Sequence, residues 1–451
     1  MIRVADYQLF RRHFSQAVRE MATSGRSSIF VPLDDGTEFE LVLHTQEENV
    51  PAYTLSDPLV LPSGQRVQDV ETWRTVQRPR LLQLFAQEIY GQTPDMTLDM
   101  TFEPLSYAED ALDGLAIRKE VRVWFRRAGY QCYMDILIYL PRQAKDEPAP
   151  LFVGLNFMGN HTIHADAGIT LSSNWIPDRS PDPQNPDGRV VNNRATAKAR
   201  GASASRWPVE MILRRGYGLA TIYSGDLDPD FDDDFQNGVH PLGYKADQTR
   251  PAAYEWGTVA AWAWGLQRAM DYFEQDGQID AARVAVVGHS RLGKAALWAG
   301  AQDQRFAAVI SNDSGCMGAA LTVRGFGETL AAINLNFPAW FCENCKRYIR
   351  QPEALPVDQH MLLALIAPRP VYVASAEQDK WADPRGEFLA LKAAEPVYAL
   401  FGKDGLGVDT MPGADQPVGG VMGYHMRTGG HDITAYDWAQ YMDFCDSAVN
   451  A

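Results

Sequence analysis

The sequence predicts an α/β fold, a three-layer αβα sandwich with a mostly parallel, twisted central sheet and inserted loops. Three observations predict it. Short runs such as "PLFVGLNF", "YGLATIYS", "RVAVVGHS", "FAAVISNDS" and "RPVYVASA" are apolar throughout, as strands covered on both faces must be. Segments with helical spacing lie between them: "WPVEMILRRG", "GTVAAWAWGLQRAMDYFEQ", "RLGKAALWAGAQD" and "GEFLALKAA". Strand and helix alternate, and a helix is the usual crossover between neighbouring parallel strands. The third observation is the passage "VAVVGHSRLGKAALWAG", a strand that breaks at a glycine-flanked turn and enters a helix rich in small residues.

Taken in order, residues 1–48 read as an N-terminal extension and residues 49–451 as the catalytic domain. The extension opens with a charged amphipathic helix pattern. Two alternating runs follow in "SIFVPLDDGTEFELVLH", around an Asp-Asp-Gly turn that signals a hairpin. "EENVPAYTLSDPLVLPSG" is an extended proline-rich connector. From Val70 the spacing predicts a helix that stops at Gly91. "IRKEVRVWF" and "YQCYMDILIYLP" alternate as half-buried strands do. "PVYALFG" reads as the last strand of the parallel set. Residues 162–206, rich in Pro, Asn, Asp, Ser and Arg, form a long loop after the first parallel strand, on the sheet edge where such folds bind ligands.

Composition excludes several function classes. The chain has 451 residues, a net charge of -16 and a pI near 5.0, whereas a nucleic-acid binder needs a basic face. No uninterrupted apolar run approaches the roughly eighteen residues of a membrane helix, and the N-terminus lacks the apolar core of a signal peptide. Five cysteines in so long a chain do not make a disulfide framework. "CENC" has no second cysteine pair or nearby histidine to complete a zinc site. No metal or cofactor is expected.

The turn supplies the chemistry. Ser290 in "GHSRLGK" sits where a nucleophile elbow lifts a hydroxyl clear of the sheet, although the second glycine comes one residue later than in G-x-S-x-G. A base and an orienting acid must accompany it, and hydrolases of this topology place them in the order Ser, acid, His. His431 in "MRTGGHDITAYDW" best fits the base, with His425 as its neighbour and alternative. His289 is assigned to packing. His161 and His164 lack a third ligand for a metal. Two aspartates compete as the acid: Asp379 in "VYVASAEQDKWADP" and Asp313 in "VISNDSG". The acidic stretch "GDLDPDFDDDF" lacks the glycine and glutamate of a calcium loop and reads as a solvated or lid-forming loop.

These motifs resemble a known family. "GHSRLGK", "ISNDSGCMGAAL", "FPAWFC", "LPVDQHMLLALIAPRPVYVASAEQDKWADP" and "GGHDITAYDWAQYMDF" are together similar to the glucuronoyl esterases of carbohydrate esterase family 15, and to the bacterial branch in particular. The resemblance runs from about Pro51 to the C-terminus. It implies an α/β-hydrolase fold and hydrolysis of esters between (4-O-methyl-)glucuronic acid on glucuronoxylan and lignin alcohols. It further implies that Ser290 is the nucleophile, His431 the base, Arg291 the oxyanion partner, and Lys294, Glu328 and Trp381 the sugar-binding groups. For the acid the resemblance favours Asp379, with Asp313 as the alternative. It implies periplasmic or extracellular residence; a monomer is expected, with no nucleic-acid partner on the ground of charge and no membrane partner on the ground of hydropathy.

Overall fold

A computed structural model of the chain describes residues 28–32, 38–42, 44–178 and 188–449. The amphipathic pattern at the start and the Asp-Asp-Gly turn lie outside the described residues. The two runs flanking that turn, β1 (Ser28–Pro32) and β2 (Glu38–Val42), pair antiparallel with Ser28 opposite Val42.

Three long strands come next, β3 (Asp99–Asp110), β4 (Ala116–Arg127) and β5 (Tyr130–Pro141), followed by β6 (Ala149–Asn156). A two-residue ladder, β7 (Val190–Val191) with β8 (Arg194–Ala195), lies within the long loop. The remaining strands are β9 (Gly218–Tyr223), β10 (Ile279–His289), β11 (Ala308–Asn312), β12 (Val371–Ala376), β13 (Val418–Gly419) and β14 (Met422–Arg427). Ten of them make one sheet in the order β13-β14-β12-β11-β10-β6-β9-β5-β4-β3. The strands from β14 to β9 run parallel; β5, β4 and β3 extend one edge antiparallel, and β13 caps the other.

Helices cover both faces: α1 (Arg78–Glu88), α2 (Val209–Arg214), α3 (Thr258–Phe273), α4 (Arg291–Gln302), α5 (Pro384–Leu400) and α6 (Ala435–Ala448). The two-residue period of β10 divides the layers. Val284 and Val286 belong to the core under α3, α4 and α5, while Ala285 and Val287 belong to the core under α2 and α6. On the first side, Tyr90 stacks on Trp298 with centroids 4.8 Å apart, tying the end of the α1 segment to α4.

Two departures from the sequence reading have clear causes. "PVYALFG" is not a strand; it ends α5. Leu391, Ala394, Val397 and Tyr398 are all buried there, and this helical stripe outweighs the strand-like composition and the internal Pro396. The last parallel strand is instead β14, "MGYHMR", whose Gly, His and Arg masked it. β3 was also unmarked, because as an edge strand it is largely exposed and carries little apolar pattern.

Candidate active site

Ser290 stands between the end of β10 and the start of α4 with φ 58° and ψ -132°, a region that costs a non-glycine residue about 1–3 kcal/mol. The strain is held by the surrounding backbone. Ser290 N donates to Asn312 O (2.9 Å) and Gly293 N donates to Ser290 O (2.9 Å). A Cβ on Gly288 would lie 2.1 Å from Leu292 O, and one on Gly293 would lie 2.9 Å from Ser314 Cβ and 3.0 Å from Gly288 O. The turn therefore needs glycine two residues before and three residues after the serine, because that is where its backbone meets itself and the next loop. The late glycine follows from this contact.

The hydroxyl does not stand alone. Ser290 Oγ lies 2.9 Å from His431 Nε2, and His431 Nδ1 lies 2.6 Å from Asp379 Oδ2. These residues come from three loops at the C-terminal ends of β10, β12 and β14. The Asp379 carboxylate is almost fully covered, whereas the His431 ring is 45% exposed and open to an incoming ligand. In this chain the imidazole can take the serine proton while the carboxylate holds its tautomer.

Asp313 is close but not joined in. One of its oxygens, one from Asp379 and a ring nitrogen of His431 lie within 4.8 Å of one another, yet neither Asp313 oxygen has a hydrogen-bond partner among the described residues. Arg427 Nη2 lies 3.6 Å from its Oδ2. Burial, with Glu387 and Asp379 nearby, pushes the Asp313 carboxyl well above the usual range. His425 lies away from Ser290, buried between Tyr372 Oη and Asp437 Oδ1, each 2.9 Å from a ring nitrogen. His289 packs its ring on His431 at 4.6 Å, and burial drives its pKa well down, so it stays neutral. Its Nδ1 lies 2.6 Å from Asn312 Oδ1. His161 is buried and His164 pairs with Glu210.

Arg427, which sequence reasoning missed, shapes the loop that carries His431. Its Nη2 donates to Gly430 O (2.6 Å) and Asp432 O (2.7 Å), and its Nε pairs with Asp437 Oδ2 (3.0 Å). The only sequence signal was an arginine at the end of a strand that was itself unrecognised.

Arg291 follows Ser290 on α4. Its guanidinium pairs with Asp230 Oδ2 (2.8 Å) and lies over the rings of Phe157 (4.6 Å) and Trp340 (5.7 Å). Trp340 Nε1 donates to the other Asp230 oxygen, 2.8 Å away. Guanidinium and backbone donors held in place are the kind of group that can stabilise a developing oxyanion. Asp230 belongs to the acidic stretch read as solvated, and it turns inward because Arg291 and Trp340 both present donors there.

One helical turn on, Lys294 is buried. Its Nζ donates to Ser314 O and lies 3.9 Å from Glu328 Oε2. Burial lowers the Lys294 pKa and raises that of Glu328; in each case the facing partner opposes the shift, and Trp381 also favours the Glu328 carboxylate. Glu328 N donates to Trp381 O (2.9 Å), so Glu328 adjoins both Lys294, one helical turn after the serine, and the Trp381 backbone.

Below them Glu387, on α5, is fully buried. Its Oε1 accepts from Gly315 N (2.9 Å) and its Oε2 from Ser375 Oγ (2.6 Å). Burial, reinforced by Asp379 and Asp383, raises its carboxyl from the ordinary 4.5 to about 8. Between those values the folded chain holds a proton that the unfolded chain has released. The associated stability is fully present below pH 4.5 and is lost as pH climbs through about 8. Glu387→Gln is therefore expected to shrink the fall in Tm between about pH 5 and pH 8, read by calorimetry at both. An undiminished fall would refute this.

Comparison with known proteins bears on this geometry. The family model described as "Glucuronyl esterase, fungi" matches residues 251–402. Carbohydrate esterase MZ0003, from an unknown prokaryotic organism, is 49% identical over 400 residues, spanning 89% of this chain and 90% of that one. Among solved structures, a promiscuous member of family 15 from a marine bacterial metagenome superposes with a TM-score of 0.83 at 48% identity, covering 90% of this chain and all of that one. The chain belongs to carbohydrate esterase family 15. A glucuronoyl esterase from Solibacter usitatus gives a TM-score of 0.82 at 47% identity, covering 89% and 99%.

This family 15 esterase thus has the α/β-hydrolase fold, and the residues selected from its sequence converge on one face. Phe157, Asp230, Trp340, Arg427 and Glu387 were not selected. Phe157 lies in the "NFMGNH" loop after β6, where a hydrolase of this topology draws an oxyanion donor; Asp230, Trp340, Arg427 and Glu387 lie inside quoted passages, where nothing local sets them apart from their neighbours. The cysteines are all free thiols. No helix among the described residues is long and apolar enough to cross a membrane.

Proposed function

We propose that this family 15 esterase hydrolyses esters of (4-O-methyl-)glucuronic acid on glucuronoxylan, including those to lignin alcohols, through an acyl-enzyme on Ser290. The observation that carries the reading is the Ser290–His431–Asp379 hydrogen-bond chain set between Arg291 and the buried Lys294–Glu328 pair. His431 takes the Ser290 proton as Oγ attacks the uronoyl carbonyl. The tetrahedral oxygen forms against the backbone N–H and guanidinium of Arg291. The alcohol departs with the proton from His431, and water, activated by the same ring, releases the acid and restores Ser290. Lys294, Glu328 and Trp381 hold the sugar hydroxyls, with charged donors and acceptors beside an aromatic face. The relatives named for glucuronoyl esterase activity support this substrate.

On this reading the enzyme works as a monomer outside the cytoplasm, where its polymeric substrate is found. The test is turnover of methyl glucuronate, the galacturonate epimer and acetylated xylan under matched conditions. The glucuronate ester is expected to lead by about ten-fold or more in kcat/KM, since one misplaced hydroxyl leaves a buried polar group unpaired. Equal or better turnover of the acetyl ester would sink the assignment.

A further inference from the structure

Resting on that reading, we propose that the N-terminal arm around His44 and Glu47 is part of the sugar-recognition apparatus, acting as a clamp that positions Glu328 and Trp381. His44 O accepts from Gly327 N at 2.7 Å, within a bridge that pairs His44 with Phe326. The next residue, Glu328, donates its N–H to Trp381 O. The fit between these segments is tight. Gly327 has φ +63°, and a Cβ there would lie 2.4 Å from Lys380 O and 2.5 Å from Trp381 O.

One guanidinium joins all three segments. Arg324, buried, donates from Nη2 to Glu47 Oε1 (2.8 Å) and from Nε to Asp383 Oδ2 (2.8 Å). Asp383 stands two residues after Trp381 and caps α5, accepting from Gly386 N (2.9 Å). Arg385 adds a second cation 3.6 Å from Glu47 Oε2. A planar guanidinium held by carboxylates on two sides has one orientation. The arm therefore fixes the strip that ends in Glu328, and the same arginine fixes the turn that carries Trp381. Glu47 and His44 are positioning residues; neither touches the serine.

The experiment uses the full chain. Glu47→Lys sets a third cation against Arg324 and Arg385 at a half-exposed site. It is expected to raise KM for methyl glucuronate about five-fold or more while kcat stays within about two-fold, because ground-state sugar contacts are lost and the acyl-transfer groups are not. Turnover of 4-nitrophenyl acetate, which has no sugar, is expected to stay within about two-fold, and Glu47→Asp is expected to recover most of the KM. An unmoved KM in Glu47→Lys, or an equal loss on both esters, overturns the clamp. A wild-type enzyme inactive on glucuronate would overturn the substrate reading and the clamp together, whereas an active wild type with an indifferent variant overturns the clamp alone.

Discussion

Ser290→Ala is expected to lower kcat on a glucuronate ester by about 10⁴- to 10⁶-fold while leaving KM within a few-fold. On the proposed mechanism the hydroxyl is the atom that becomes acylated, and among the described residues it is the hydrogen-bond partner of His431 Nε2. Held charge near Arg291 would leave a residual rate above that of water, as oxyanion stabilisation survives loss of a nucleophile. Alanine also keeps the positive φ of residue 290 (58°) strained, so the variant is expected to melt close to the wild type. Single-turnover kinetics with thermal melting in parallel would show this. A variant retaining more than about a hundredth of wild-type kcat would place the nucleophile elsewhere.

The second large effect separates the two acids. Asp379→Asn is expected to reduce kcat by about 10³- to 10⁴-fold, because an amide facing Nδ1 presents a donor as readily as an acceptor and no longer stabilises the imidazolium. Asp313→Asn is expected to cost less than about ten-fold. Burial already favours the protonated Asp313 carboxyl, which an amide resembles in shape and charge, and it makes no hydrogen bond to the histidine. Should Asp313→Asn prove the crippling change and Asp379→Asn the mild one, the acid assignment would be reversed. Measured kcat for both variants on one ester decides it.

The parallel core was readable because burial on both faces demands continuous apolar runs, and β6, β9, β10, β11 and β12 all carry them. The elements that escaped were those whose neighbours override their composition. β14 is buried on both faces despite its Gly, His and Arg, since His425 and Arg427 find partners in Tyr372 and Asp437. The end of α5 has a strand-like composition, but its Val397 and Tyr398 continue a helical stripe. At the site, the proposed nucleophile has a local signature because an elbow requires glycines at fixed offsets. The proposed acid has none. Asp313 and Asp379 both follow parallel strands, and only the side-chain direction set by the fold distinguishes them.

The sequence by itself determined the three-layer architecture, the strained serine between two glycines, and the order of serine, acid and histidine, because these depend on periodicity and on backbone conformations that few residues tolerate. Only the tertiary structure decided that Asp379 rather than Asp313 meets His431, that Asp230 grips Arg291, and that the arm at Glu47 reaches Arg324. Those are contacts between residues far apart in the chain. Their distances are set by how separate loops pack at one sheet edge, and no local pattern encodes that.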